Sequence, residues 1–228
     1  MTPSFSSAKL RALIPMINES IQSLSTVLKN QTLVNDGVVD VLHYYCLFSM
    51  DIILACAFGT KVDVLNNQKS PIAQQGLGFL GRDIPWETMT VIAFPTLATK
   101  FLGLNAIPRE AGAFFANLTA NVVARRQEDP SLQRPDFIQF LMAAKNEDGS
   151  PLMVKEISDN GIAFFVAGFD TTAHTLTYTT YELAMNPDKQ SKLHQEVDQF
   201  FRRDPVVSVL IVFLLFSCDN NQPIPPYP

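Results

Sequence analysis

Leucines and isoleucines recur at intervals of three and four early in the chain, at Leu10, Leu13, Ile14, Ile17, Ile21, Leu24 and Leu28. That spacing predicts an amphipathic helix over Ser6 to Lys29, with Pro15 bending its N-terminal part. A second helix is predicted to open at Asp36 or Gly37 and to run through Val41, Leu42, Tyr45, Phe48, Ile52, Ile53, Ala55 and Cys56 to a stop at Gly59. It is apolar nearly all round, so it should be buried. From Asn66 to Pro108, Asn66-Asn67 and a run of prolines and glycines break every periodic stretch, which predicts short helices joined by loops. Arg109 to Glu128 is helical again, with Phe114, Phe115, Leu118, Val122 and Val123 on one side. Pro135 and Asp136 start a short helix through Leu141 to Lys145, closed by Asp148-Gly149. A long helix from about Pro151 or Val154 to Met185 follows, stopped by Asn186-Pro187, and another runs from Asp188 to about Phe201. The fold class is mainly α.

One segment conflicts with its surroundings. Thr171 to Thr180 holds six threonines in ten residues, and Leu176 to Thr179 alternates as a strand would. Helix formers flank it on both sides, so the helix must be held by tertiary packing, and a locally inconsistent stretch is where function is expected.

The chain has 228 residues, 47% hydrophobic and 17% charged, a composition of packed domains rather than of disorder. Its net charge of −5 gives nucleic acid no electrostatic footprint, so no nucleic-acid partner is expected. The acidity belongs to the second half: Met1 to Phe114 carries eight basic and eight acidic residues, Phe115 to Pro228 nine and fourteen. Cys46, Cys56 and Cys218 form neither a disulfide framework nor a C-x-x-C pair. Three N-x-S/T triplets, at Asn18, Asn30 and Asn117, matter only in a secreted chain, and the N-terminus has no signal-peptide pattern. The apolar run Val206 to Cys218 is 13 residues long, too short to span a bilayer and suited to a buried or interfacial segment.

Interest concentrates on Ala167-Gly168-Phe169-Asp170-Thr171-Thr172. On a helix, Ala163, Ala167, Asp170, Thr171, His174 and Tyr178 share one broad face, a shallow floor with an acid at its edge. A flat ligand could approach the backbone at Ala167 and Gly168, with Asp170 and Thr171 as proton relay and hydrogen-bond partner. The structural alternative is that the small residues permit helix packing, Thr171 back-bonds to the Ala167 carbonyl, and Asp170 pairs with His174 at i+4.

Ala167-Gly168-Phe169-Asp170-Thr171-Thr172, with Glu182-Leu183-Ala184-Met185-Asn186-Pro187 downstream, resembles the long distal helix of a cytochrome P-450. Upstream, and in the same order, Thr2 to Leu10, Ser49 to Ile53, Ala57 to Asp63 and Asp136 to Leu141 resemble segments of that family, over about Thr2 to Gln199 in all. The branch it resembles is the animal microsomal one that includes thromboxane synthase and drug-metabolising monooxygenases. The resemblance implies an incomplete cytochrome P-450 helical fold, of which residues 1–199 are the central part and residues 200–228 a divergent apolar and prolyl tail. It implies heme as cofactor, a lipophilic small-molecule substrate, a reductase as redox partner, contact with a membrane surface, and the cytosolic face of the endoplasmic reticulum. It also assigns roles: Ala167 and Gly168 let the helix lie against heme with room for dioxygen, while Asp170 and Thr171 deliver protons. His174 has no matched role and is read as packed or paired with Asp170. Trp86 to Pro108, with Met89, Phe94 and Phe101, falls where the family roofs its substrate cavity; core and loop is the plainer reading. Arg125-Arg126 reads as a solvated helix end.

The family's iron-binding loop, F-x-x-G-x-R-x-C-x-G, and its E-x-x-R pair do not occur in this sequence. Cys46, Cys56 and Cys218 all lack that loop's setting. Two readings therefore stand. One is the central part of a heme-thiolate monooxygenase, with the chain as given inactive by itself. The other is a truncated, non-catalytic helical form that acts through interaction. The expectation is a truncated product that is poorly soluble because half a core exposes apolar surface.

Overall fold

The computed structural model describes residues 7–77, 86–94, 96–101 and 109–201. Eight α-helices follow one another among the described residues: α1 (Ser7–Val34), α2 (Val41–Phe58), α3 (Pro71–Leu77), α4 (Trp86–Ala93), α5 (Arg109–Glu128), α6 (Phe137–Met142), α7 (Val154–Met185) and α8 (Pro187–Phe201). A π-helical turn (Leu97–Phe101) and a 3-10 turn (Pro130–Leu132) are added. No strand occurs among the described residues; a single bridge joins Lys145 and Pro151 across the Asp148-Gly149 turn. The tail expected from residue 200 lies outside them, apart from Phe201 closing α8 and residue 200 before it.

The first two helices differ from expectation at their junction. Asp36 and Gly37 do not open α2 but close α1, with φ of 50° and 85°. The Gly37 amide donates to the Thr32 carbonyl at 3.0 Å, satisfying a helix-end acceptor through a left-handed turn. Asp40 instead caps α2, its carboxylate accepting from the His43 amide at 3.2 Å. Gly59 ends α2 in the left-handed conformation, as anticipated.

α2 is the hub. Tyr45, Leu47, Phe48, Met50, Leu54, Ala57 and Phe58 are all nearly inaccessible, and α1, α3, α5, α6 and α7 pack around it. By length and composition α2 could cross a bilayer, yet here most of it is covered by protein. Phe58, Phe115, Phe165 and Phe169 bind α2, α5 and α7 together, with the Phe115 and Phe165 ring centroids 4.4 Å apart and Phe165 stacked on Phe169 at 5.5 Å. Burying each of these side chains contributes about 1.5–3 kcal/mol.

Arg126 corrects the expectation of a solvated helix end. Arg125 is exposed, but Arg126 is 4% exposed, and its guanidinium grips the fully buried Asp136 carboxylate with two parallel bonds, Nη1–Oδ1 at 2.8 Å and Nη2–Oδ2 at 2.5 Å. Asp136 also caps α6 by accepting from the Gln139 amide at 2.9 Å. The pair lies directly against Gly59, where an added Cβ would collide with the Asp136 carboxylate and the Arg126 guanidinium. Three helix ends, of α2, α5 and α6, thus meet at one ion pair.

A second buried carboxylate, Asp51, sits in the middle of α2. Ser20 of α1 donates to it at 3.0 Å and the Val64 amide at 3.2 Å, but burial outweighs both bonds and raises its affinity for a proton.

Two outcomes follow for stability. Arg126→Leu strands a buried carboxylate and is expected to cost about 3–5 kcal/mol in urea denaturation at neutral pH; an unchanged midpoint would contradict the role of the pair. For Asp51 the folded chain keeps a proton that the unfolded chain releases near 3.8, so its contribution is fullest below that pH and is lost as pH rises towards its higher folded value. The unfolding free energy of the wild type minus that of Asp51→Asn should therefore fall with rising pH across that window. A flat difference would show that the carboxyl is not perturbed.

Candidate functional site

α7 runs for 32 residues and buries one face only. Ile157, Gly161, Ile162, Phe165, Phe169, Ala173 and Thr180 point into the core. Gly168 is half-buried against Ile53 of α2, where a Cβ would come 2.9 Å from Ile53 Cδ1, so a larger residue would push the helices apart. On the other side Ala163, Ala167, Thr171 and Tyr178 are exposed, and Asp170 and His174 are half-covered. These six are the residues that periodicity assigned to one face, and the fold leaves that face open. Val166, 41% exposed, and Thr175 also border it. Both lie within a turn of Ala167 or Thr171 in sequence, so helical periodicity alone could have included them.

The polar groups on this face are engaged locally. Thr171 Oγ1 donates to the Ala167 carbonyl at 2.6 Å. His174 Nδ1 lies 3.0 Å from the Asp170 carbonyl oxygen and 3.3 Å from Asp170 Oδ1. Both pairings of the structural alternative are therefore present. Thr175, Thr177, Thr179 and Thr180 back-bond in the same way as Thr171, each to the carbonyl four residues earlier. Thr180 is additionally 2.9 Å from the buried Tyr45 hydroxyl of α2, a tertiary bond that anchors the threonine-rich stretch.

The described thiols lie behind this face. Cys46 and Cys56 of α2 are both buried, and each thiol is pushed up to about 12, by burial first and then by carboxylate charge, from Asp170 and Asp40 at Cys46 and from Asp136 at Cys56. Both side chains are enclosed in the core around α2, away from the open face of α7. Cys218 lies outside the described residues. The face thus fits a flat aromatic macrocycle on its side towards α7, through its small residues, while the described cysteines do not fit the role of iron ligand.

The apolar segment expected to roof a cavity is described in part. Met89, Phe94, Leu97 and Phe101 are exposed, and residues 78–85, 95 and 102–108 lie outside the described residues. A groove of about 360 Å³ opens between α1 and the Lys61–Asn66 segment; its walls include Glu19, Thr26, Asn30 and Lys61 and no residue of α7.

Among the described residues the chain is a helical protein that encloses an apolar hub and leaves a small-residue face, with an acid and a hydroxyl beside it, on its longest helix. The family model described as Cytochrome P450 matches residues 1–209, and the chain belongs to that family. It is 30% identical to Cytochrome P450 3A14 of Cavia porcellus, over all of this chain and 47% of that protein. It is 32% identical to Cytochrome P450 3A41 of Mus musculus, over 87% of this chain and 41% of that protein. The chain spans less than half the length of these relatives.

The threonines on the two faces should respond oppositely to truncation. Thr171→Ala, at an exposed position, is expected to raise the unfolding free energy by about 0.5 kcal/mol through better helix propensity. Thr180→Val removes the bond to Tyr45 and should lower it by about 1 kcal/mol. Urea denaturation of the two variants checks this, and a destabilising Thr171→Ala would mean that its back-bond supports the helix.

Proposed function

We propose that this chain forms the dioxygen-side half of a heme-thiolate monooxygenase that acts on a lipophilic substrate. One observation carries the reading: in a member of the cytochrome P450 family, the fold turns the Ala163–Ala167–Thr171 face of α7 outward while the opposite face of the same helix is core. When bound, heme supplies the oxidising chemistry of the family. Ala167 and Gly168 let a flat ring approach the helix backbone, because neither carries a side chain beyond a methyl. Thr171 and Asp170 are the proton-handling pair. The Thr171 hydroxyl donates to the Ala167 carbonyl and keeps its lone pairs for a proton arriving from water or acid, and Asp170 stands half-exposed beside it, within reach of solvent. The thiolate in this reading comes from a residue other than Cys46 or Cys56, which are buried in the core around α2.

The wider setting rests on the same resemblance. The exposed Met89, Phe94 and Phe101 suit contact with a lipophilic substrate or a membrane surface, and the family members it is similar to support an endoplasmic reticulum location and a reductase as electron donor. Residues 1–199 act in this reading as one helical part of the domain.

Ala167→Trp tests the face without disturbing the core, since Ala167 is exposed. Uptake of metal-free protoporphyrin IX by this chain, followed by fluorescence, should fall about tenfold or more while far-ultraviolet circular dichroism stays unchanged. Equal uptake by both proteins would overturn the assignment of this face.

A further inference from the structure

Asp170 and Thr171 follow each other in the chain, yet the structure holds them from opposite ends of the helix. Thr171 Oγ1 donates back one turn, to the Ala167 carbonyl at 2.6 Å. Asp170 is met from one turn ahead by His174, whose Nδ1 lies 3.0 Å from the Asp170 carbonyl oxygen and 3.3 Å from its carboxylate Oδ1. Both of those oxygens are acceptors, so Nδ1 carries a proton whether the ring is neutral or charged. The bond to the carbonyl anchors the ring over the preceding turn, and the same N–H then stands beside Oδ1. Asp170 Oδ2 has no partner among the described residues.

Nothing else in the neighbourhood fixes the acid. No Lys or Arg lies within ion-pair distance of Asp170 among the described residues. Its charge reaches Cys46 of α2, which places the carboxylate at the edge where the open face meets the hub. An aspartate on a helix has more than one accessible χ1 rotamer, and a half-exposed carboxylate with no donor beside it divides its time among them. A donor anchored four residues ahead selects one. A proton-handling group is useful only when held to within roughly 0.5 Å of its working place, so the residue that selects the rotamer matters as much as the acid. We propose that His174 is a positioning residue for Asp170: its Nδ1–H holds carboxylate Oδ1 and leaves Oδ2 as the oxygen that meets water at the open face. The two neighbours are then held apart, Asp170 towards His174 and Thr171 towards Ala167, each with acceptor lone pairs open to water. The inference rests on the reading of this face as the proton-handling surface and adds to it the residue that aims the acid.

Two measurements separate the two ideas. In the isotope-labelled full chain, three-bond couplings to the Asp170 carboxyl carbon report its χ1, and nitrogen chemical shifts at alkaline pH report which ring nitrogen of His174 holds the proton. Expected are a single χ1 state for Asp170 and a proton on Nδ1 in the wild type, couplings averaged over rotamers in His174→Ala, and a single state regained in His174→Asn, whose side-chain amide offers a donor near the place of Nδ1. Far-ultraviolet circular dichroism should be the same in all three, since the ring is half-exposed and outside the core. A change in helix content alone would not restore the rotamer in the Asn variant, so the rescue is a readout that a merely structural role does not move. The same Asp170 couplings in wild type and His174→Ala, or a wild-type ring protonated on Nε2 only, overturn the positioning role. Uptake of metal-free protoporphyrin IX, followed by fluorescence, is measured alongside and should be equal in the three proteins. Failure of the wild type to take it up overturns the reading of the face, and the role of His174 with it, whatever the couplings show; uptake with unselected Asp170 couplings overturns His174 alone and leaves the face.

Discussion

α2 has almost no polar side, and the rest of the structure follows from the need to cover it. Eleven of its eighteen residues are buried. A helix of that kind in water must be enclosed on every face, because each exposed Leu or Phe forgoes about 1.5–3 kcal/mol of transfer free energy. α1 covers one side, α5 and α6 another, and α7 the longest contact. That arrangement also determines what α7 has left to offer. With 3.6 residues per turn, a helix that commits Gly161, Ile162, Phe165, Phe169 and Ala173 to the hub must present Ala163, Ala167, Thr171 and His174 on the far side.

The two buried carboxylates specify which surfaces of the helices meet. Asp136 binds Arg126 against Gly59, so the ends of α2, α5 and α6 can meet in one register only. Such a pair contributes little over a well-packed apolar substitute, yet removing one partner is costly because the other is left charged and dry. Asp51 acts in the same sense between α1 and the chain after α2, through Ser20 and Val64. Apolar contacts enclose α2, and these polar contacts choose among the ways of enclosing it.

Much of this was legible in the residues. Periodicity located α5, α7 and α8 to within a residue or so, Gly59 was recognisable as a helix stop, and Asp136 as a helix start. Asp36-Gly37 was misread because the same residue types that open helices also close them. The distinction lies in backbone dihedrals, positive at both positions here. Arg126 was misread as solvated although its place was written in the spacing. Ala111, Phe115, Thr119, Val123 and Arg126 form a single buried stripe at intervals of four, four, four and three. A charge on an apolar stripe calls for a buried partner, and Asp136 stood ten residues away. The open face of α7 was legible as a face, but its exposure was not, since periodicity cannot tell which side of a mixed helix meets the hub. That depended on Gly168 fitting Ile53 and on Thr180 reaching Tyr45, contacts between segments far apart in sequence.

The threonine-rich stretch joins the two themes. Threonine is a poor helix former, and five of these residues spend their hydroxyl protons on carbonyls of the preceding turn. At Thr180 the tertiary bond to Tyr45 offsets the weakness; at Thr171 and Thr175, exposed on the open face, nothing in the described structure does. A residue that lowers local stability where no packing rewards it is better explained by the chemistry of its side chain than by the fold. The back-bond is compatible with that chemistry. It orients the hydroxyl and leaves its lone pairs outward, so that, in the function proposed for this face, Thr171 accepts a hydrogen bond there without breaking its bond to Ala167.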